Sequence, residues 1–413
     1  TLKSIFKNID WVLVLTLLPI LAAGLGALWP LVGNSIFFHK QLISILLGFC
    51  VFFLASTIDP RFFRKSSVVL SIYGATIFLL LLLFIFGHLT HGAQSWFKVG
   101  IFGFQPVDLM KVILILILAK YFSRRHVEIA HIRHIIVSGM YMFIPFFLVV
   151  LQPDFGSAMI LLSIWFGMIL ASGLSKKHIL ILTSAGIIVL VILYSFVFAN
   201  YQKQRINNFL NPLSDIHGSG YNVLQSTIAV GSGQVIGKGL GFGTQSRLKF
   251  LPEYQTDFIF AAFAEEWGFI GVVILLILYG ILITRILMTA LYGSSNFEIL
   301  FGIGLALMFL SHIVINIGMN MGIMPVTGIT LPFMSYGGSH LLASFLGLGI
   351  LQAMRKYSRT FHRDDIKNEF LGIEKKYGLK LELNRYLKPV PKTNLSVKRI
   401  LFIINIKVKF EHI

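Results

Sequence analysis

Runs of about twenty residues with almost no charge recur along this chain, and the first is "WVLVLTLLPILAAGLGALWPLVG", Trp11 to Gly33. In a helix, roughly 20 apolar residues cross the ~30 Å hydrocarbon core of a bilayer. Backbone groups in that core find no water, so only helices and closed barrels span it. Long apolar runs without strict alternation read as helices. Ten are predicted, near residues 11–33, 41–57, 66–87, 106–122, 134–151, 156–173, 178–199, 262–284, 298–320 and 337–354. Composition agrees, with 56% hydrophobic and 13% charged residues, where a soluble domain carries about 25% charged. The predicted class is an all-α polytopic membrane protein. The first run is too long for a signal-peptide core and no small-residue cleavage pattern follows it, so it reads as a retained helix. Cys50 is the sole cysteine, which excludes internal disulfides and thiolate metal centres.

The formal net charge is +18. In a membrane protein that excess marks cytoplasmic flanks rather than nucleic-acid binding. Arg61, Arg64 and Lys65 follow the second run, Arg124, Arg125 and Arg133 the fourth, and Lys176 and Lys177 the sixth. Both termini are therefore predicted in the cytoplasm. Segments 88–105, 152–155, 200–261 and 321–336 then fall outside. The 200–261 loop is longer than a connector needs. It carries an amphipathic run, "GYNVLQSTIAVGSG", suited to a helix lying on a membrane surface. A transmembrane domain is assigned to residues 1–358 and a basic cytoplasmic tail to 359–413. The tail's apolar piece "ILFIINIKV" is too short to span.

Two motifs invite chemistry and fail. "GSGQVIGKGLGFG", Gly231 to Gly243, is no P-loop: Ser232 replaces the first glycine, and Gly239 follows Lys238 where Ser or Thr would hold magnesium. What survives is a tight loop whose N–H groups are available to a pyrophosphate. "RRHVEIAHIRH" places His126, His131 and His134 at spacings that match no metal pattern. A positive-inside flank accounts for it better.

"LPEYQTDFIFAAFAEEWG", Leu251 to Gly268, holds Glu253, Asp257, Glu265 and Glu266, four of the chain's seventeen acids. Carboxylates beside hydrocarbon are costly to desolvate. Glu253 and Asp257 are four apart, so one helical face would carry both. Thr256 and Asp257 equally suit a helix start, while Glu265 and Glu266 read as structural. The functional alternative makes Asp257 a general base at the outer rim of a cavity, its basicity raised by partial desolvation. Arg205 in "YQKQRINNF" and Lys111, one turn inside the fourth run, are cations suited to a diphosphate leaving group. Asp154 in "LQPDFGSA" adds an acid on the same side, and Trp96 in "GAQSWFKVG" an interfacial aromatic.

With these residues in view, the chain resembles the SEDS family of cell-wall proteins. The resemblance rests on "GAQSWFKVGIFGFQPVDLMK", "QPDFGSAM", "YQKQRINNFLNP", the stretch from "GYNVLQSTIAV" through "TDFIFAAFAEEWGFIG", and "GIMPVTGITLPFMSYGGS", in family order from about residue 92 to 340. Thr327 in "PVTG" and the "GTQS" at Gly243 to Ser246 resemble the elongation branch rather than the division or sporulation branches. The resemblance implies a peptidoglycan glycosyltransferase, or lipid II polymerase, in the bacterial cytoplasmic membrane with its active site outside. The acceptor's GlcNAc 4-hydroxyl would attack the donor's anomeric carbon, and undecaprenyl diphosphate would leave with inversion. Asp257 is the implied base. Glu253, Arg205, Lys111, Asp154, Trp96, Gln225, Ser335 and Gly337 are the implied substrate-binding residues. A class B penicillin-binding protein and other elongation-complex membrane proteins are the implied partners, with a divalent cation, Mg or Mn, left open. Ser95, Lys249, Gln255 and Asp108 depart from the family's usual arginine, glutamate, histidine and glutamate. Two other classes stay open, a lipid-linked precursor transporter (flippase) and a scaffold that only recruits partners.

Overall fold

The computed structural model describes residues 9–29, 36–90, 93–99, 102–123, 132–173, 176–192, 194–195, 200–211, 219–248, 250–293 and 295–361. Lys249, most of "RRHVEIAHIRH" and the basic tail beyond residue 361 lie outside them. In chain order the elements are α1 (Trp11–Leu28), α2 (Ile36–Ala55), α3 (Arg61–Arg64), α4 (Ser66–Phe86), β1 (His88–Thr90), β2 (Ala93–Val99), β3 (Phe102–Phe104) and α5 (Pro106–Ser123). Then follow α6 (Ile132–Leu151), α7 (Phe155–Ala171), α8 (Lys176–Ile192), α9 (Asn200–Leu210), α10 (Ser219–Ser232), α11 (Thr244–Arg247), α12 (Ile259–Leu291), α13 (Asn296–Asn320) and α14 (Gly338–Phe361).

Among the described residues, six helices are long and apolar enough to cross a membrane: α1, α2, α4, α6, α12 and α13. Helices also occupy the other four predicted positions. Of these α7 is apolar but shorter, whereas α5 carries Asp108, Lys111 and Lys120 and is buried nearly all round. A helix enclosed by its neighbours has no lipid to face, so charges on it are matched by protein rather than excluded. The class is corrected in one detail. Strands β1, β2 and β3 form a small antiparallel sheet in that order, pairing His88 with Trp96 and Phe97 with Phe104.

Lipid tails are as apolar as leucine, so packing rather than hydrophobic burial holds such helices together, and small residues allow close approach. A side chain on Gly48 would strike Phe345, and one on Gly304 would strike Ile115 and Met168. The interior contains Phe52, Phe301, Phe309, Phe333 and Phe345.

Charged side chains gather where the basic connections lie. Asp10 caps α1 by accepting from the Leu13 N–H. It also accepts from Arg285 on α12 at 2.6 Å and forms an ion pair with Arg355 on α14 at 2.9 Å, tying three helices. Burial pushes its carboxyl up, but the Arg285 hydrogen bond and the Arg355 charge hold it below the usual range. Arg64 meets Glu298 at 2.8 Å, and the Lys120 ammonium donates to the Arg64 carbonyl.

Candidate active site

The predicted base lies in a turn, not in a helix. Residues 251–258 precede α12, which starts at Ile259 with Phe258 in the cap position. The helix-start reading of Thr256 and Asp257 is thereby corrected, and so is the shared helical face of Glu253 and Asp257. Glu253 has φ +49°, a left-handed conformation unusual for a residue with a side chain. That conformation lets its carbonyl accept from the N–H groups of Thr256, Asp257 and Phe258 at 3.1–3.3 Å. The Thr256 hydroxyl reaches the Glu253 carboxylate at 3.2 Å.

Two elements grip this turn. The first is α13, whose apolar run "SHIVINIGMN" carries His312, Asn316 and Asn320 at intervals of four, all fully buried. Asn316 Nδ2 donates to the carbonyls of Asp257 (3.0 Å) and Ile329 (2.7 Å). Asn320 Nδ2 donates to the Asp257 carbonyl (2.9 Å), while its Oδ1 accepts from the Ala261 N–H (3.1 Å). His312 Nδ1 lies 3.0 Å from the Thr330 carbonyl. The second is the loop 322–337. Ser335 Oγ donates to the Thr256 carbonyl at 2.6 Å and accepts from Leu331 N–H at 2.8 Å, and Tyr336 N–H donates to the Gln255 carbonyl at 2.8 Å. Gly328, at φ +73°, is where this loop passes Asp257: a Cβ there would sit 3.5 Å from the carboxylate Oδ2. Asp257 is thus fixed through its backbone, with its carboxylate half-buried against that glycine.

The remaining predicted residues fall into separate settings. Asp154 caps α7 through Ser157 N–H (3.0 Å) and accepts from Gln105 Nε2 (2.9 Å). Gly156 of that first turn abuts Thr327 and Ile329, so segment 327–329 separates the start of α7 from Asp257. Trp96 on β2 covers Gly103 on β3, and Ser95 is buried with its hydroxyl aimed at the Gln152 carbonyl. Gly337 N–H donates to Gln41 Oε1 (3.3 Å), and Gln41 Nε2 donates to the Ser335 carbonyl (3.1 Å). Arg205 on α9 and Gln225 on α10 are half-buried, on the two packed helices of the 200–261 segment.

Lys111 requires a correction. It is not open to a phosphate here: its ammonium is buried and pairs with Asp108 at 3.0 Å. His340 lies 3.6 Å from the same carboxylate oxygen and stacks on His312 with ring centroids 4.5 Å apart. This charged cluster therefore connects to the loop through His312 and Thr330.

The glycine-rich segment is also corrected. Several of its N–H groups are already used: Lys238 and Gly239 donate to the carbonyls of Glu265 and Glu266, and Gly241 to the Glu266 carboxylate. Glu265 is wholly buried and accepts from Lys238 (2.7 Å), Thr244 (3.0 Å) and Gln245 N–H (3.1 Å). Lys238, the one cation on the segment, is already paired with Glu265, and Glu266 adds a carboxylate, so the loop has little to offer a diphosphate.

Sequence reasoning missed Asn316, Asn320, His312 and His340. The four-residue interval of polar groups in an apolar run was the available signal, because polar groups inside a span need a reason. Among the described residues no group of three or more His, Cys, Asp and Glu is gathered as a metal ion would require.

Fold and site define a helical integral membrane protein with a carboxylate fixed in a turn between two helices and a loop. The family model described as "Cell cycle protein", covering FtsW, RodA and SpoVE, matches residues 6–360, and the chain belongs to that family. It is 35% identical over 357 residues to peptidoglycan glycosyltransferase MrdB of Escherichia coli K12, covering 86% of this chain and 96% of that one. It is 36% identical over 362 residues to stage V sporulation protein E of Bacillus subtilis, covering 85% and 98%. Among solved structures it is similar to the rod shape determining protein RodA of Thermus thermophilus, with TM-score 0.64 and 31% identity over 86% of this chain and 98% of that one. A chain from a peptidoglycan synthase complex gives TM-score 0.74 at 31% identity, over 86% and 99%.

Proposed function

We propose that this chain is a peptidoglycan glycosyltransferase polymerising lipid II during cell elongation, with Asp257 as its general base. The observation that carries the assignment of the base is the backbone grip on Asp257, which leaves a half-buried carboxylate beside the Cβ-free Gly328. A base must be held within hydrogen-bond reach of the proton it takes. In this reading the acceptor's sugar hydroxyl gives its proton to Asp257 as its oxygen bonds to the donor's anomeric carbon. The bond from that carbon to the diphosphate breaks, its electron pair leaves with the polyprenyl diphosphate, and the carbon inverts. Glu253 and Asp154 orient sugar hydroxyls, Arg205 faces the leaving charge, and Trp96 offers an aromatic face to a sugar ring. Gln225 and Gly337 line the approach. Ser335 acts on the turn itself, and Lys111 with Asp108 supplies an internal ion pair behind the loop.

Ten spans with both termini cytoplasmic fit the two polar ends, because the arginine-rich contacts of Asp10 and Glu298 lie opposite the turn that holds Asp257. In this reading the carboxylate lies on the outer face of the bacterial cytoplasmic membrane. A class B penicillin-binding protein is the proposed partner, supported by the similarity to a chain from a synthase complex described as coordinating polymerization and crosslinking. A precursor transporter needs ionisable groups reached from both faces, and the Asp108, Lys111, His312 and His340 cluster is closed on all sides.

The test is polymerisation of lipid II by the purified protein, with and without the partner, comparing wild type with Asp257→Asn. Glycan strands from wild type and none from a folded variant are expected. Equal activity would remove Asp257 as base, and an inactive wild type with its partner present would remove the transferase reading.

A further inference from the structure

Helix α12 is broken. Gly268 has φ +64° and ψ −166°, a conformation that no helix contains. The break frees hydrogen-bonding groups on both sides, and segment 233–239 takes them up. Phe269 and Ile270 N–H donate to the carbonyls of Gln234 (2.9 Å) and Val235 (3.1 Å). In return Lys238 and Gly239 N–H donate to the carbonyls of Glu265 (3.0 Å) and Glu266 (3.0 Å). The approach is as close as backbone allows. A side chain on Gly233 would strike Ala264, one on Gly237 would strike Glu266, and one on Gly268 would strike Gly237. The one charged side chain on segment 233–243, Lys238, is matched by Glu265.

A segment whose polar backbone is spent on a transmembrane helix, and whose charge is matched, meets the condition for irregular chain at membrane depth. Its outward side chains meet the other condition: Ile236 is 80% exposed, Phe242 67% and Leu240 53%. They continue the apolar face of α12 at Phe269, Ile270, Ile274 and Ile277, all exposed. Depth follows from helix geometry. Seventeen residues separate Gly268 from Arg285, about 26 Å at 1.5 Å per residue. With Arg285 at the inner edge of a ~30 Å core, the break lies in the outer leaflet near its boundary.

We propose that residues 235–242 insert into the outer leaflet, placing Ile236, Leu240 and Phe242 in acyl chain just beneath the headgroups. The segment is then a lipid-binding surface rather than an aqueous loop. The outward orientation rests on the function proposed above, but insertion does not depend on which reaction the protein performs.

The single native cysteine makes the test direct. In a Cys50→Ala background, Ile236→Cys, Leu240→Cys and Phe242→Cys are each labelled with an environment-sensitive fluorophore and reconstituted in phosphatidylcholine and phosphatidylglycerol vesicles. Ile277→Cys on α12 is the lipid-facing reference, and each variant is read only where it elutes as the parent does. Insertion predicts several-fold stronger quenching by a lipid with its nitroxide near the headgroup than by one with it near the chain end, and little by aqueous iodide. Strong iodide quenching with weak lipid quenching at all three sites would overturn it. Shielding from both quenchers would also overturn it, since that marks burial against protein. Because no lipid II is used, failure here leaves the transferase reading standing, and failure of Asp257→Asn to lose activity leaves this one standing.

Discussion

Asn320→Ala tests whether α13 positions the carboxylate or merely packs beneath it. The side chain is fully buried, and both ends of its amide are engaged. Truncation strips the Ala261 N–H of its 3.1 Å acceptor in a place water does not reach. Leaving one buried donor unmet costs about 1–3 kcal/mol. The Asp257 carbonyl keeps Asn316 Nδ2 at 3.0 Å, so losing its second donor adds about 0.5–1.5 kcal/mol. The sum is roughly 2–4 kcal/mol of stability by these figures, enough to lower a melting midpoint measured in detergent. Catalysis should suffer separately. With one of its two amide donors gone the Asp257 carbonyl is held less tightly, and a 1 Å misplacement of a reacting group can cost about a hundredfold. The prediction is a kcat about tenfold to a hundredfold lower at nearly unchanged KM, in lipid II polymerisation normalised to folded protein. Asn320→Asp keeps an acceptor for Ala261 but loses the donor to Asp257, so it should recover part of the stability and little of the rate. A destabilised Asn320→Ala with wild-type kcat per folded molecule would refute the reasoning, and Asn320 would be packing alone.

Three further outcomes follow from the same contacts. Lys111→Met should destabilise by about 3–5 kcal/mol because it leaves the Asp108 carboxylate buried without its ammonium, whereas the double variant Lys111→Met with Asp108→Leu should recover much of that in thermal unfolding. Gly237→Val should reduce folded yield and thermal stability as strongly without substrate as with it, since its Cβ meets the Glu266 backbone. A pure rise in KM would instead revive the diphosphate-binding reading of the loop. For Asp10, whose carboxyl is held below its usual range, the stabilisation is present above about pH 4, the unfolded value, and is lost as pH falls through the lower folded value. Asp10→Asn should flatten that acid limb of the melting midpoint, and an unchanged limb would show that other acids set it.

How much of this was legible depends on whether a feature is local. The apolar runs announce helices because desolvated backbone leaves few alternatives, and helices occupy the predicted positions. The ends were less legible. The run 262–284 extends to Ile259–Leu291, because hydropathy does not register where a helix continues past lipid. The sheet at 88–104 hid in short segments with no long alternation. Asp257 was legible as an acid out of place, but its neighbours were not. Glu253, four residues earlier, suggested a helical face and instead adopts a left-handed turn, a choice made by the loop and α13 from far along the chain. Lys111 is a mixed case: its partner Asp108 lies three residues away and was locally readable, whereas His340 beside that carboxylate comes from more than two hundred residues along the chain.

The break at Gly268 explains why a carboxylate can be held so firmly at the edge of a membrane helix. An unbroken α12 of 33 residues would be about 50 Å long at 1.5 Å per residue, and lipid packing along its length would set the pose of its first turn. With the break, Ile259–Trp267 is a short helix tied to α13 through Asn320 and to segment 233–248 through Glu265 and Glu266. Phe269–Leu291 has two faces, with Leu275, Tyr279, Leu282 and Ile286 buried against protein and the opposite face left to meet lipid. The fully buried side chains Phe260 and Ala261 belong to the first part, while the exposed Phe269, Ile270 and Ile274 belong to the second. The first part thus answers mainly to protein, the second to protein on one face and to bilayer on the other. A residue other than glycine at 268 would have to abandon φ +64° and would collide with Gly237. It would rejoin the halves and pass strain in the span directly to the turn that carries Asp257.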